Sequence, residues 1–147
     1  MDYNIICDEL IKLSKKSLRY GDVPVGAIIV KDGKIISKSY NTREKKKLVI
    51  NHAEINAILK ANKKLKNKFL YGCDLFVTLK PCSMCENIIK QSRINNVFYM
   101  IDKPLNKKEY NRTTINKIDS DLNEKYASLI QQFFNKIRKW FTNNDIM

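Results

Sequence analysis

Two short motifs, far apart along the chain, restrict the folds that are open to it. The first, His-Ala-Glu at 52–54, opens a segment whose apolar residues recur at helical spacing. The second, Pro-Cys-Ser-Met-Cys at 81–85, also opens a helix, because proline suits the first turn. Two cysteines three positions apart at a helix start lie on one face, where exposed backbone amides favour the thiolate form. The sequence therefore predicts two helices whose N-termini converge on one point.

The side chains at this point include the donor atoms of a zinc site, namely those of His52, Cys82 and Cys85. Two thiolates and one neutral imidazole balance the charge of Zn²⁺ and leave the fourth tetrahedral position to water, as in catalytic zinc sites. Glu54 is placed to take a proton from this water and return it to a ring nitrogen. A structural site remains the alternative, with Cys73 or Cys7 as fourth ligand and Glu54 as an ordinary helix-start carboxylate.

Strand-like and helical segments alternate along the chain. A helical pattern from Asp2 to Arg19 is followed by a β-branched run that turns back at Lys31–Gly33 as a hairpin. Further strand-like runs begin at Cys73 and Asn95, and another follows the connector after Asp102. This order predicts an α/β fold, a three-layer α/β/α sandwich around a mixed sheet of about five strands. The apolar stripe from about residue 119 predicts a terminal helix that covers the sheet.

Composition and charge limit the class of protein. With no internal repeat or linker, residues 1–147 are interpreted as one domain. No stretch approaches the roughly 18 apolar residues of a membrane span, and the N-terminus lacks a signal-peptide layout, so we expect a cytoplasmic protein without a membrane segment. The formal charge of +13 favours a phosphate-rich partner over a merely solvated basic surface.

The two motifs together match the H-x-E and P-C-x-x-C signature of zinc nucleobase deaminases. Beyond them, DVPVGAIIV, the asparagine of KSYN, QSRINNVFY and the terminal FFNKIR resemble the bacterial tRNA adenosine deaminases. The resemblance implies a cytidine deaminase-like fold, one zinc ion per subunit and a homodimer. It also implies hydrolytic deamination of adenosine to inosine at the anticodon wobble position, with zinc-activated water and Glu54 as proton shuttle.

The same resemblance assigns residues around the target nucleotide. It implies that Asn41 hydrogen-bonds the base, that Val25 lines its pocket and that backbone near Ala53 helps to hold it. Asp102 matches an aspartate beside the nucleotide. On the residues alone, Asn41 as a turn residue, Val25 as core and Asp102 as a loop cap are equally open interpretations.

The RNA surface is expected in the last third of the chain. Phe134 and Arg138 match terminal-helix positions that meet RNA in the family. The connector after Asp102 is shorter than the family's and lacks its glycine, which predicts that the helix normally found there is missing. We expect RNA recognition to be altered, relaxed, or moved onto a basic cluster of Lys107, Lys108 and Arg112.

Other departures from the family keep two further functions open. Lys80 stands where the family usually has glutamate, and Tyr99 and Met100 stand where it has small residues. The zinc motif fits a deaminase of free cytosine, guanine or a nucleoside equally well. The short connector leaves room for a zinc-stabilised RNA-binding module without catalysis.

Overall fold

The computed structural model describes residues 2–102 and 112–143. Residues 2–102 belong to a first compact unit and residues 112–143 to a second. The helices of the first unit are α1 (Tyr3–Leu18), α2 (Arg43–Lys46), α3 (Ala53–Leu65) and α4 (Ser83–Gln91). Its strands are β1 (Gly26–Lys31), β2 (Lys34–Tyr40), β3 (Cys73–Leu79) and β4 (Asn96–Ile101). The second unit contains α5 (Asn123–Asn143).

The four strands form one mixed sheet in the order β2-β1-β3-β4. Strand β1 is antiparallel to both β2 and β3, whereas β3 and β4 are parallel. The predicted hairpin between β1 and β2 turns at Asp32 and Gly33, whose φ angles of 51° and 73° suit the tight turns that match strand twist. The hairpin and the mixed sheet are therefore confirmed.

Helices cover both faces of this sheet because successive side chains of β1 point in opposite directions. Ile28 and Val30 pack with the buried face of α1 and with Phe76. Ala27 and Ile29 pack on the other side, with the buried residues of α3 and α4. The three layers are thus those predicted, and α3 and α4 lie on the same side of the sheet.

The expected fifth strand is absent from the described residues, and the prediction of about five strands was wrong by one. Residues 112–120 follow no regular structure. Ile115 and Ile118, the apolar side chains of this stretch, are 96% and 77% exposed. Two isolated apolar residues among Thr, Asn, Lys and Asp bury too little surface to offset the entropy of ordering a strand.

The terminal helix α5 lies where the apolar stripe predicted a helix. Arg112 precedes it and is exposed. Lys107 and Lys108, and with them most of the short connector, lie outside the described residues. None of the described helices is both long and apolar enough to pass through a membrane.

Candidate metal centre

The starts of α3 and α4 meet at the candidate metal centre. His52 is the N-cap of α3 and Cys82 the N-cap of α4, both with extended backbone, and neither side chain caps its own helix. Instead the side chains turn towards each other, with His52 Nδ1 3.7 Å from Cys82 Sγ and 3.4 Å from Cys85 Sγ. The predicted convergence of two helix N-termini is therefore present in the fold.

The spacing of these three donor atoms fits a tetrahedral zinc ion. Zn–S distances near 2.3 Å and Zn–N distances near 2.0–2.1 Å place N and S about 3.6 Å apart, and all three atoms lie within 4.8 Å of one another. Among the described residues, neither Cys73 nor Cys7 joins this group. The donor set is therefore the three-ligand type, and the two alternative fourth ligands lie elsewhere.

Electrostatics within the group favour binding of a cation. Hydrogen bonds from Cys85 and His52 lower the pKa of Cys82 to about 3, so this thiol is ionised at neutral pH. The hydrogen bond to Cys82 is also the main reason why the pKa of His52 is raised and why that of Cys85 lies far above its usual range. The ionised Cys82 sulfur thus accepts hydrogen bonds from the protonated His52 and Cys85. Metal binding must release the protons that these two side chains carry.

Glu54, in the first turn of α3, is 4% exposed. Burial raises the pKa of its carboxyl group, which also interacts with the Cys85 thiol and with the charge on His52. The carboxyl therefore faces the candidate metal centre. This is the position that a proton carrier beside the fourth coordination position requires.

Asn41 has the contacts of a turn residue. Its Nδ2 donates to Val23 O at 3.1 Å, and its Oδ1 accepts the Arg43 N–H at 3.1 Å. An amide group has two N–H donors and two acceptor lone pairs, so one of each remains for a base. Val25, 9% exposed, and the fully buried Ala53 belong to the same apolar cluster as Cys85, beside the metal centre.

Asp102 is exposed and directly follows β4. The ends of β3 and β4 are joined there, because the Lys80 N–H donates to Ile101 O at 3.0 Å. The Lys80 ammonium lies 5.9 Å from the centroid of the Tyr99 ring. Lys80 and Tyr99, which both depart from the resemblance described above, are therefore neighbours.

On α5, the exposed Phe134 and Arg138 are four residues apart and share a face.

Two residues associated with α2, Asp22 and Arg43, escaped the sequence analysis. Asp22 is only 3% exposed, and its carboxylate accepts the N–H groups of Glu44 at 2.6 Å and Lys45 at 3.2 Å. Arg43 opposes the rise in the pKa of His52 that Cys82 causes, so its charge lies near the metal centre. A four-residue helix has no readable period, and Asp22, four positions before β1, belongs to no local pattern that would reveal its contacts with α2.

Comparisons with known proteins agree with this geometry. Residues 3–101 match the family model described as the cytidine and deoxycytidylate deaminase zinc-binding region. The tRNA-specific adenosine deaminase of Aquifex aeolicus is 39% identical over 140 residues, covering 87% of this chain and 91% of that protein. The enzyme of the same name from Bacillus subtilis is 33% identical over 142 residues, covering 89% and 88%.

Two solved structures are similar in fold. One comes from a study of A-to-I editing by deaminases at the wobble position of transfer RNA; its TM-score is 0.68 at 33% identity, covering 71% of this chain and 80% of that one. The other is guanine deaminase from Bacillus subtilis, with a TM-score of 0.76 at 25% identity, covering 92% and 95%.

Proposed function

This chain belongs to the family of zinc-binding cytidine and deoxycytidylate deaminases, and from that membership we propose that it hydrolyses adenosine to inosine at the wobble position of a tRNA anticodon. The observation that carries the proposal is a buried carboxyl group, that of Glu54, beside a group of one imidazole and two thiols. Both relatives matched over most of their length, from Aquifex aeolicus and Bacillus subtilis, are tRNA-specific adenosine deaminases, which supports the choice of substrate.

In the proposed reaction, water replaces the amino group on C6 of adenine and ammonia leaves. His52, Cys82 and Cys85 would hold the zinc ion, which when bound would lower the pKa of a coordinated water from about 15.7 towards about 7. Glu54 takes one proton from the attacking water and delivers it to N1 of the ring. It then moves the second proton of that water from the new C6 hydroxyl to the amino group, which leaves as ammonia while C6 becomes a carbonyl. A carboxyl whose pKa is raised by burial suits this role, because the same group must both accept and donate protons.

The neighbouring residues hold the base in this proposal. Asn41 uses its remaining amide hydrogen for the base, while Val25 and Ala53 form an apolar wall beside it. Asp102, at the exposed end of β4, lies beside the nucleotide. An anticodon loop suits such a pocket, since its bases are partly unstacked and extruding one costs less than in a duplex.

The proposal extends to the partners of the enzyme. Arg112, Phe134 and Arg138 contact the tRNA, together with Lys107 and Lys108, which lie outside the described residues. A homodimer gives such a small basic protein more surface for the RNA. Because tRNA is its substrate, we place the enzyme in the cytoplasm.

A second candidate is deamination of a free base. The guanine deaminase from Bacillus subtilis has the higher TM-score of the two solved structures described above, although its sequence identity is lower. The zinc chemistry is common to both functions, so the choice depends on what enters the pocket. RNA is favoured by the charge of +13 and by the names of the full-length relatives.

The deciding experiment compares substrates in parallel. Zinc-loaded protein is incubated with tRNA carrying adenosine at the wobble position, with the same tRNA carrying guanosine there, and with free guanine, cytosine and adenosine. Inosine is measured in the digested RNA and ammonia in every mixture. We expect inosine and equimolar ammonia from the first RNA alone. Ammonia from a free base without inosine in RNA would overturn the proposal.

A further inference from the structure

We propose that an exposed aromatic and basic surface at α2 holds the RNA strand as it enters the candidate metal centre. This surface, called the α2 surface below, consists of the exposed Lys16, Tyr20, Arg43 and Lys45 together with the half-buried Tyr40. The inference rests on the proposed function, because it assumes that the substrate is RNA. It differs from the RNA contacts expected in the last third of the chain.

The first observation is that cations lie over aromatic rings on this surface. Lys45 Nζ is 4.5 Å from the Tyr20 ring centroid and 5.9 Å from that of Tyr40. Lys16 Nζ lies 5.9 Å from the Tyr40 centroid. Attraction to the ring faces holds these ammonium groups in defined places, whereas a solvated lysine samples many rotamers. Tyr20 still exposes 47% of its surface, so part of it is free to meet a ligand.

The second observation is a buried carboxylate that fixes the position of Lys45. A helix of four residues is too short to be stable alone. The Asp22 carboxylate accepts the backbone N–H groups of Glu44 and Lys45, and Lys47 closes the helix in the left-handed conformation at φ 55°. The buried acid thus ties this basic turn to the residues before β1. The α2 surface is therefore pre-organised, which lowers the entropy cost of binding.

The third observation places the start of α2 next to the metal centre. The Thr42 N–H donates to Asn51 O at 3.0 Å, and Asn56 Nδ2 donates to Thr42 Oγ1 at 2.9 Å. Asn51 directly precedes His52, so these two hydrogen bonds hold the residue before Arg43 next to a candidate metal ligand. A strand lying on the α2 surface therefore passes the place where a base must leave it to be deaminated.

The chemistry of the α2 surface suits unpaired nucleotides. Exposed aromatic rings stack on bases of any sequence, and ammonium and guanidinium groups bind phosphate. The one exposed acid in this turn, Glu44, lies 3.8 Å from Arg43 and leaves the surface positive on balance. The combination of ring faces and cations favours a looped RNA over an acidic peptide or a lipid surface, which would use the charges alone.

The test measures RNA binding separately from turnover. Zinc-loaded wild type, Lys45→Ala and Tyr20→Ala are titrated with a labelled anticodon hairpin whose wobble adenosine is replaced by guanosine. The matched control is Lys34→Ala, which removes another exposed lysine, at the hairpin turn at the opposite end of β1 and β2. Dissociation constants are measured across a salt series, and melting temperatures verify folding.

We expect Lys45→Ala to weaken binding and to reduce the salt slope by about one. Tyr20→Ala should weaken binding by about fivefold or more, with little change in slope, because stacking is lost. Lys34→Ala should bind like wild type. If Lys45→Ala and Tyr20→Ala bind like the control, or if they weaken binding to anionic lipid vesicles but not to the hairpin, the α2 surface is not an RNA site.

A second readout separates this inference from the proposed function. With hairpins carrying adenosine, the Lys45→Ala and Tyr20→Ala variants should raise KM and leave kcat within about twofold, because neither residue touches the reacting atoms. Absence of inosine with the wild type counts against the proposed function alone. A fall in kcat with an unchanged KM counts against the α2 surface alone.

Discussion

Glu54 differs from an ordinary surface carboxylate in its burial and in the groups that surround it. It is 4% exposed, and the groups around its carboxyl are the candidate metal ligands Cys85 and His52. Buried acids are uncommon unless they are paired or functional, because burial penalises the charged form. We therefore assign proton transfer to this single side chain.

Replacing Glu54 with Gln keeps the shape of the side chain but removes its ability to carry protons. We expect kcat for inosine formation to fall by about 10²- to 10⁴-fold, with zinc content unchanged. Glu9→Gln, which changes a carboxylate on α1 that pairs with Lys38 of β2, should leave kcat near that of wild type. If Glu54→Gln remains fully active, another group carries the proton; if it loses zinc, the carboxyl acts as a ligand.

Cys85→Ser tests which thiols hold the metal. Loss of a soft ligand should leave zinc well below one ion per chain and lower the melting temperature, because metal binding stabilises the folded state. Cys7→Ser is the matched control, since Cys7 lies outside the three-residue group. Metal analysis by mass spectrometry and thermal melting check both variants. Equal zinc loss in the Cys7 variant would revive the structural site with a fourth protein ligand.

Among single residues, the sequence predicted those whose chemistry is distinctive and missed those whose role depends on the fold. The imidazole, the two thiols and Glu54 could be assigned from their motifs alone. Asn41 shows the limit, because turn and base-binding roles use the same amide and the structure displays the turn contacts. Asp22 acts only through backbone groups more than twenty positions away, which no local pattern reveals.

Helix α1 and strand β1 approach each other closely, and one glycine permits this approach. A Cβ on Gly26 would lie 2.5 Å from Leu10 O and 3.0 Å from Leu13 Cβ. The backbone of α1 must therefore lie almost directly on the start of β1. This contact fixes the start of the strand, close to Val25 and to the Asn41 N–H, which donates to Val25 O.

Gly26→Ala should lower the free energy of unfolding by about 1–3 kcal/mol, because one added methyl group overpacks a closed contact. Gly33→Asn is the control: nothing lies within 4 Å of a Cβ at Gly33, and asparagine tolerates its positive φ. Urea unfolding followed by circular dichroism compares both variants with wild type. Similar stability for Gly26→Ala and wild type would mean that α1 does not press against β1.

The elements that periodicity predicted are those with enough residues to display it. Helices α1, α3 and α4 and the strands that pair in the sheet follow from their apolar patterns. Within α3, however, the apolar Leu59 is 59% exposed, while the smaller Ala57 and Ala61 are buried, so residue type alone does not give the buried face. Helix α2 was too short to detect, and the fifth strand was predicted from a stretch with too little apolar surface.

For the whole molecule, the excess of 28 Lys and Arg over 15 Asp and Glu predicts an electrostatic mode of substrate binding. Affinity for tRNA should fall linearly with salt on a double logarithmic scale, with a slope of about −2 or steeper if at least three phosphates are neutralised. A tRNA of different anticodon should give the same slope, because phosphate contacts carry no sequence information. Affinity that is independent of salt would show that the charge has no part in binding.

The central claim is that water held at the three-ligand centre replaces the amino group of an adenosine in tRNA. In the most direct measurement, zinc-loaded wild type reacts with tRNA in water labelled with oxygen-18. The masses of the nucleosides from the digested tRNA are then measured by mass spectrometry. We predict wobble inosine that carries one oxygen-18 atom, with one ammonia released for each, and formation of this product that is about 10²- to 10⁴-fold slower with Glu54→Gln. Unlabelled inosine, or labelled inosine formed equally well by the Glu54→Gln variant, would contradict it.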